Sequence, residues 1–187
     1  NERASYYYRA RPEMLKTLVD GGVDIVATAN NHSGDYGPDA LLEQARWLNA
    51  AGIAHAGSGA NLDEALQPAI RRAGDLNVAL FSLDATQASF AAAADRPGHA
   101  YLSLSAPSEW QGTLAPLIEA TRQKADVILV AVHWGANNQA APGRNEVAVG
   151  HAIIEAGADA VLGSSAHMLQ GIEVYKDRPI IHDAGDL

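Results

Sequence analysis

The stretch that decides the fold is Asp126-Val127-Ile128-Leu129-Val130-Ala131-Val132, which runs directly into His133-Trp134-Gly135. It is apolar nearly throughout, which is typical of a strand covered on both faces by other elements. In open α/β sheets, ligands bind beyond the carboxyl ends of such strands. The stretch therefore predicts a buried parallel strand with a polar site at its end.

Helical and strand-like segments alternate on both sides of this stretch, which predicts an α/β fold. The predicted helices begin at Pro12 and end at Gly21-Gly22, begin at Gly37-Pro38 and end at Gly52, and cover 107–124 and 145–156. The other predicted strands are 23–27, 77–83 and 160–162, with a hairpin over 171–175 and 179–182. Pro116 is expected to kink or break its helix. Residues 84–104 predict a loop-rich insertion with a helical turn at 91–94.

Composition narrows the function classes. The chain has 187 residues, 48% of them hydrophobic, enough for one domain with its own core. Its net charge of −9, without a cluster of Lys or Arg, argues against nucleic-acid binding. With no cysteine, a metal must be held by His, Asn, Asp or Glu. We find no signal peptide and no run of 18 apolar residues, and we expect an interior piece of a longer protein, incomplete at both ends.

Three histidines each lie shortly after a predicted buried strand: His32, His133 and His167. Since the carboxyl ends of parallel strands share one edge, we expect these side chains to converge. A single histidine in a loop is more often a surface or capping residue, but three at equivalent positions favour a site. The histidines interpreted as structural are His55, His99 and His151, and His182 is ambiguous.

The segment Asn30-Asn31-His32 suits a hydrolytic site. Asparagine ligates through a neutral carbonyl oxygen and so suits a hard divalent cation, or a pair of metals that activates a phosphate. A histidine beside it can donate a proton to a leaving oxygen. Two interpretations of Asp35 stay open: it orients His32, or it forms a turn before Gly37.

Three further features have competing interpretations. Trp134 is either a floor for the site or a packing residue, and packing is favoured. The run Tyr6-Tyr7-Tyr8 is either a groove for a polymer or an extended edge, and the edge is favoured. Ser164 and Ser165 are not surrounded by a Gly-x-Ser-x-Gly elbow, so a serine hydrolase is not expected.

Several blocks, in order, resemble the bacterial capsule-synthesis family of CapA, the poly-γ-glutamate synthesis protein. These blocks are residues 29–37, 51–57, 133–135, 155–161 and 170–175. Their order and spacing carry the resemblance, which covers most of the chain. It implies a calcineurin-like metallophosphoesterase fold over residues 1–187, an αββα sandwich of two central sheets flanked by helices.

The resemblance also implies roles. Asn31 is expected to bind metal and His32 to act as the acid at the leaving group, while His133 and His167 would be further metal ligands. The implied cofactors are one or two divalent ions among Mn, Fe, Zn and Mg. With Asp35 as a second catalytic candidate, we also expect substrate contacts from three residues: Asn30, Trp134 and Ser165.

Two departures from the family pattern concern the metal. The family's Gly-Asp strand and Asn-Leu-Glu motif are absent and are expected upstream of Asn1. A histidine usually precedes the final one of the last motif, and here Ser164 or Ser165 takes its place. This leaves three expectations open: one metal, weak metal binding, or none.

The leading interpretation is a hydrolase that acts on a phosphoester or an anionic capsule polymer, with one or two divalent metals. By resemblance it would act at the cell envelope, outside the cytoplasm, with a membrane synthase complex as partner. Two alternatives stay open. One is a metal-independent acid/base enzyme that uses His32 and His167, and the other is a non-catalytic subunit for polymer binding or assembly.

Overall fold

The computed structural model describes residues 6–185. A single 3-10 turn at Pro12–Met14 leads into the first helix, and another lies at Ala88–Phe90. The helices are α1 Leu15–Asp20, α2 Gly37–Ala50, α3 Leu62–Ala65, α4 Pro107–Arg122 and α5 Arg144–Glu155. The strands are β1 Ile25–Ala27, β2 Ala54–Ala56, β3 Ser58–Gly59, β4 Ala69–Ala73, β5 Leu76–Asp84, β6 Gly98–His99, β7 Val127–His133, β8 Ala160–Ser164, β9 Ile172–Tyr175 and β10 Arg178–Ile181.

The largest sheet has six strands in the order β4-β5-β7-β8-β10-β9. Its four inner strands are parallel, and the edge strands β4 and β9 are antiparallel to their neighbours. The parallel pair β1-β2 forms a second sheet that packs against β4 and β5. Helices α4 and α5 pack on each other and against β7 and β8. The predicted α/β fold, with two central sheets and flanking helices, is confirmed.

The main core lies between the six-stranded sheet and these two helices. Helix α4 contributes Trp110, Leu114 and Ile118, which are spaced four residues apart on one face and are almost fully buried. They pack in one cluster with Ile128 and Val130 of β7. Burying each large aliphatic side chain stabilises the fold by about 1.5–3 kcal/mol. The sheet whose ends carry the candidate residues is therefore firmly held.

Two local expectations were not met. Helix α4 continues through Pro116, so the expected break is absent; the proline is exposed, so the backbone acceptor that it leaves unpaired can be hydrated. Residues 91–94 are not helical, because Ala91 and Ala93 form isolated bridges with His99 and Arg96 instead. The hairpin β9-β10 is confirmed, and its turn residues Lys176 and Asp177 have φ of 50° and 61°.

Within residues 6–185, no helix combines the length and the apolar character that a membrane span requires.

Candidate functional site

The carboxyl ends of β5, β7 and β8 lie side by side in the six-stranded sheet. The strand register pairs Asp84 with His133, and His133 with Ser164. The loop after β1 reaches the same region, since Ala29 N donates to Ser82 Oγ at 3.1 Å. Segments 28–37, 133–135 and 164–167 thus lie at one edge of the fold.

The electrostatic surroundings of His133 show which charged groups are near it. Burial lowers the pKa of His133; the carboxylate of Asp84 raises it, His167 and His32 lower it, and Asp183 raises it. The three histidines that follow buried strands are therefore close enough to influence one another's charge. Because burial favours the neutral imidazole, His133 is suited to accept a proton or a ligand.

The loop after β1 is shaped by its own side chains. Asn30 Oδ1 accepts a hydrogen bond from His32 N at 2.8 Å, and Asn30 N donates to Ser33 Oγ at 2.8 Å. Ser33 Oγ also donates to the Thr28 carbonyl at 2.6 Å. Asn30 therefore uses its amide oxygen within the loop. Asn31 is half-buried, and its side chain makes no hydrogen bond to any residue in the described range.

His32 and Asp35 form a hydrogen-bonded pair on this loop. His32 Nδ1 lies 2.8 Å from Asp35 Oδ2, and the side chains are 30% and 7% exposed. Asp35 Oδ2 also accepts a hydrogen bond from Tyr8 N at 2.9 Å, while the Tyr8 ring meets the His32 ring edge-on at 4.4 Å. The carboxylate engages Nδ1, which leaves Nε2 as the nitrogen that can exchange a proton with a substrate.

The loop after β8 has a constrained backbone. Ser165 and His167 have φ of 110° and 56°, and residues other than glycine rarely have a positive φ. The buried Asp183 holds this loop: its Oδ2 accepts from Ala166 N at 2.6 Å and its Oδ1 accepts from Gly185 N at 2.8 Å. His167 is exposed at the surface of the loop.

The two serines of this loop have different neighbours. Ser164 Oγ lies 3.2 Å from His133 Nδ1, so it is in contact with the candidate site. Ser165 Oγ instead donates to the Gly135 carbonyl at 3.3 Å. That bond ties the loop after β8 to the end of β7, and it occupies the hydroxyl for which we expected a substrate contact.

Trp134 is 1% exposed, and its Nε1 donates to the His182 carbonyl at 2.8 Å. This placement favours the packing interpretation over a direct substrate contact. The bond joins the end of β7 to the residue that follows β10, and so it helps to fix the position of the adjacent His133.

Sequence reasoning missed Asp84 at the end of β5. It is fully buried and accepts hydrogen bonds from Thr86 Oγ1 at 2.6 Å and Gln87 N at 2.7 Å. Its Oδ2 lies 3.3 Å from His99 Nε2, and His99 is also fully buried. Burial lowers the pKa of His99, while the Asp84 carboxylate and the carbonyl groups of Gln87 and Asn30 raise it. The signal was available: Asp84 follows a buried strand just as His133 does.

The fold implies a metal, which needs a matching set of ligands at this edge of the sheet. Among residues 6–185, no group of three or more His, Asp or Glu side chains is arranged to hold a metal ion. The expected donors are Asn31, His133 and His167, and only the two histidines are of the kinds that fill the three protein positions of a catalytic zinc site. These residues alone do not complete a metal site.

Comparison with protein families matches residues 1–187 to the family of the bacterial capsule synthesis protein PGA_cap. A "Probable polyglutamine synthesis accessory protein" of Mycobacterium tuberculosis is 32% identical over 191 residues, which cover 100% of this chain and 50% of the relative. The "Capsule biosynthesis protein CapA" of Bacillus anthracis is 27% identical over 95% of this chain and 43% of the relative. The "PGA biosynthesis protein CapA" of Bacillus subtilis is 26% identical over 96% of this chain and 46% of the relative.

A crystal structure of a "Putative 5'-Nucleotidase" from Staphylococcus aureus, in complex with α-ketoglutarate, superposes with a TM-score of 0.52 at 18% identity. The match covers 94% of this chain and 37% of that one. It shows the fold, and the predicted calcineurin-like metallophosphoesterase fold is confirmed. The chain spans about half the length of the curated relatives that it matches. Since the family model matches the whole chain, the chain belongs to the bacterial capsule synthesis protein family PGA_cap.

Proposed function

We propose that this chain carries the reaction site of a capsule biosynthesis protein that acts at the cell envelope on an anionic polymer of the poly-γ-glutamate type, or on a phosphoester linked to it. The family and the names of its relatives support a role in capsule biosynthesis. The cluster of histidines at the strand ends supports a hydrolytic reaction.

The hydrogen-bonded pair of His32 and Asp35 is the observation that carries the proposal. His32 is partly exposed and can reach a substrate, whereas Asp35 is almost buried and fixes the imidazole through Nδ1. In the proposed reaction, His32 donates a proton from Nε2 to the leaving atom, which is the amide nitrogen of a poly-γ-glutamate linkage or the ester oxygen of a phosphoester. General acid catalysis of this kind contributes on the order of 10²–10⁴-fold to a rate.

His133 supplies the second catalytic group, a proton acceptor. It lies at the end of β7, beside Ser164 Oγ, and its lowered pKa keeps the imidazole neutral near neutral pH. A neutral imidazole can accept a proton from an attacking water. His167, on the constrained loop after β8, faces the same edge and would help to bind the negatively charged linkage.

The test uses the full-length protein and follows release of phosphate or of shortened poly-γ-glutamate. We expect His32→Ala to lower the rate by about 100-fold or more. The matched control is His151→Gln, since His151 pairs with Glu173 at 2.6 Å on another part of the fold. A rate that His32→Ala leaves unchanged would overturn the acid role. Assays with and without EDTA separate metal-dependent hydrolysis from the metal-independent alternative that uses His32 and His167.

One relative is named as an accessory protein, which favours a second candidate function. In that role the chain would bind or position the polymer for a synthase in a membrane complex and would cleave nothing. It predicts that His32→Ala spares capsule formation in cells and that no hydrolysis is detected with the purified full-length protein.

A further inference from the structure

The segment before the first helix borders the candidate site. Tyr8 hydrogen-bonds to Asp35 through its backbone and packs its ring on His32. The Tyr7 ring meets the Tyr36 ring edge-on, with centroids 6.4 Å apart. Residues 6–9 thus lie along the loop that carries the proposed acid, and not apart from it.

An open groove begins at this contact. It has a volume of about 830 Å³, and its lining is Tyr8, Arg9, Ala10, Arg11, Glu13 and Met14. All six residues are exposed. Tyr8 belongs to the lining of this groove and also packs against His32, so one residue connects the groove with the proposed acid.

The two arginines of the groove are available for a ligand. The guanidinium of Arg9 lies 5.5 Å from the centre of the Tyr36 ring. Neither Arg9 nor Arg11 makes a side-chain hydrogen bond or ion pair with any residue from 6 to 185. Arg122 and Arg178, by contrast, are each bonded to Asp159. Two unpaired guanidinium groups in a protein of net charge −9 form a local cationic surface.

We propose that residues 6–14 form a subsite for a carboxylate-bearing polymer, which lies in the groove and leads its cleavable linkage to His32. This inference rests on the proposed function and names a binding surface for its substrate. Guanidinium groups recognise carboxylates through paired hydrogen bonds, and exposed tyrosine rings offer apolar area for the methylene groups between them. The openness of the groove suits a chain better than a small enclosed ligand. Glu13 is the one carboxylate of the lining, against the two arginines.

The test measures binding of a defined poly-γ-glutamate oligomer to the full-length protein by titration calorimetry. We expect Arg9→Gln/Arg11→Gln to raise the dissociation constant about tenfold, since two exposed charge pairs contribute a few-fold each. The matched control is Arg46→Gln/Lys124→Gln, which removes the same charge from two exposed cations outside the groove. We expect the control to change binding less than about twofold.

Three results would overturn the proposal. The first is equal weakening by both double variants, which indicates a general effect of net charge. The second is unchanged binding in Arg9→Gln/Arg11→Gln. The third is tighter binding of polyphosphate than of poly-γ-glutamate in the same titration, which assigns the groove to a phosphate polymer.

The catalytic proposal is tested separately by measuring both the binding and the cleavage of the same oligomer with His32→Ala. If this variant binds the oligomer normally but does not cleave it, both proposals stand. If the variant binds the oligomer but wild type does not cleave it, the groove proposal stands and the hydrolase function is rejected.

Discussion

His32 Nδ1 lies 2.8 Å from Asp35 Oδ2, on a loop whose backbone is fixed by its own hydrogen bonds. Asp35 N donates to the His32 carbonyl at 3.2 Å, and Gly37 N donates to the Gly34 carbonyl at 2.9 Å. These turns lead directly into α2. The pair is therefore formed within the segment between β1 and α2, and Tyr8 adds a contact to each of its two members.

Gly34 allows the segment after β5 to cover this loop. A Cβ atom on Gly34 would lie 2.6 Å from Phe90 Cδ1, inside any normal contact distance. We expect Gly34→Ala to lower the free energy of unfolding by about 1–3 kcal/mol, as overpacking commonly does. Chemical denaturation measures this change.

Gly112→Ala is the control for that experiment. Gly112 lies within α4, and a Cβ there would meet no atom within 4 Å. We expect it to raise the free energy of unfolding by about 0.5–1 kcal/mol, because alanine favours the helix. Similar losses in both variants would contradict close packing of Phe90 on Gly34.

Asp183 stabilises the constrained loop after β8. It is 1% exposed and accepts backbone hydrogen bonds from Ala166 and Gly185. Asp183→Asn can accept only one of them, so we expect a loss of about 1.5–3 kcal/mol in unfolding free energy. Asp75→Asn is the control, since Asp75 is exposed with an ion pair of 3.5 Å, and it should change stability by less than about 0.5 kcal/mol. A small effect of Asp183→Asn would show that the loop does not depend on this carboxylate.

His55 predicts a pH dependence of stability. Burial lowers the pKa of His55 in the folded protein, and its Nδ1 has no hydrogen-bond partner in the described structure. Below about pH 6.5 the unfolded chain takes up a proton that the folded chain resists. The free energy of unfolding therefore decreases as the pH is lowered, by at most about 1.4 kcal/mol per pH unit. Above that pH both states are neutral and the effect vanishes.

The measurement compares wild type with His55→Gln by urea denaturation at about pH 7.5 and about pH 5.5, on either side of the unfolded value. We expect wild type to lose more stability than the variant on acidification. Equal losses in the two proteins would show that His55 is not the group responsible.

The main strands and helices could be predicted because their signals are strong. The runs that became β5, β7 and β8 are largely apolar, and the carboxyl ends of parallel strands share an edge. The convergence of His133 with neighbouring loops therefore followed from topology alone. The weaker strands escaped notice for physical reasons. Strand β2 contains only Ala54-His55-Ala56, without β-branched residues, and the edge strand β4 contains Arg71 and Arg72.

The surroundings of the candidate site were harder to predict. The segment after β5 folds back over Asp84: its His99 lies 3.3 Å from Asp84 Oδ2 and pairs with Ser58 across β3-β6. That contact joins residues about 40 positions apart and has no local sequence signal. The packing of Tyr8 on His32 is likewise a tertiary contact, which the tyrosine run could not reveal.

The most direct test of the account is a double-mutant cycle on His32 and Asp35, measured as the hydrolysis rate of the full-length protein on its polymer or phosphoester substrate. If Asp35 acts through His32, Asp35→Asn alone lowers the rate by about tenfold or more, and His32→Ala/Asp35→Asn is no slower than His32→Ala. Losses that add independently, or a His32→Ala variant as fast as wild type, would contradict the proposed pair.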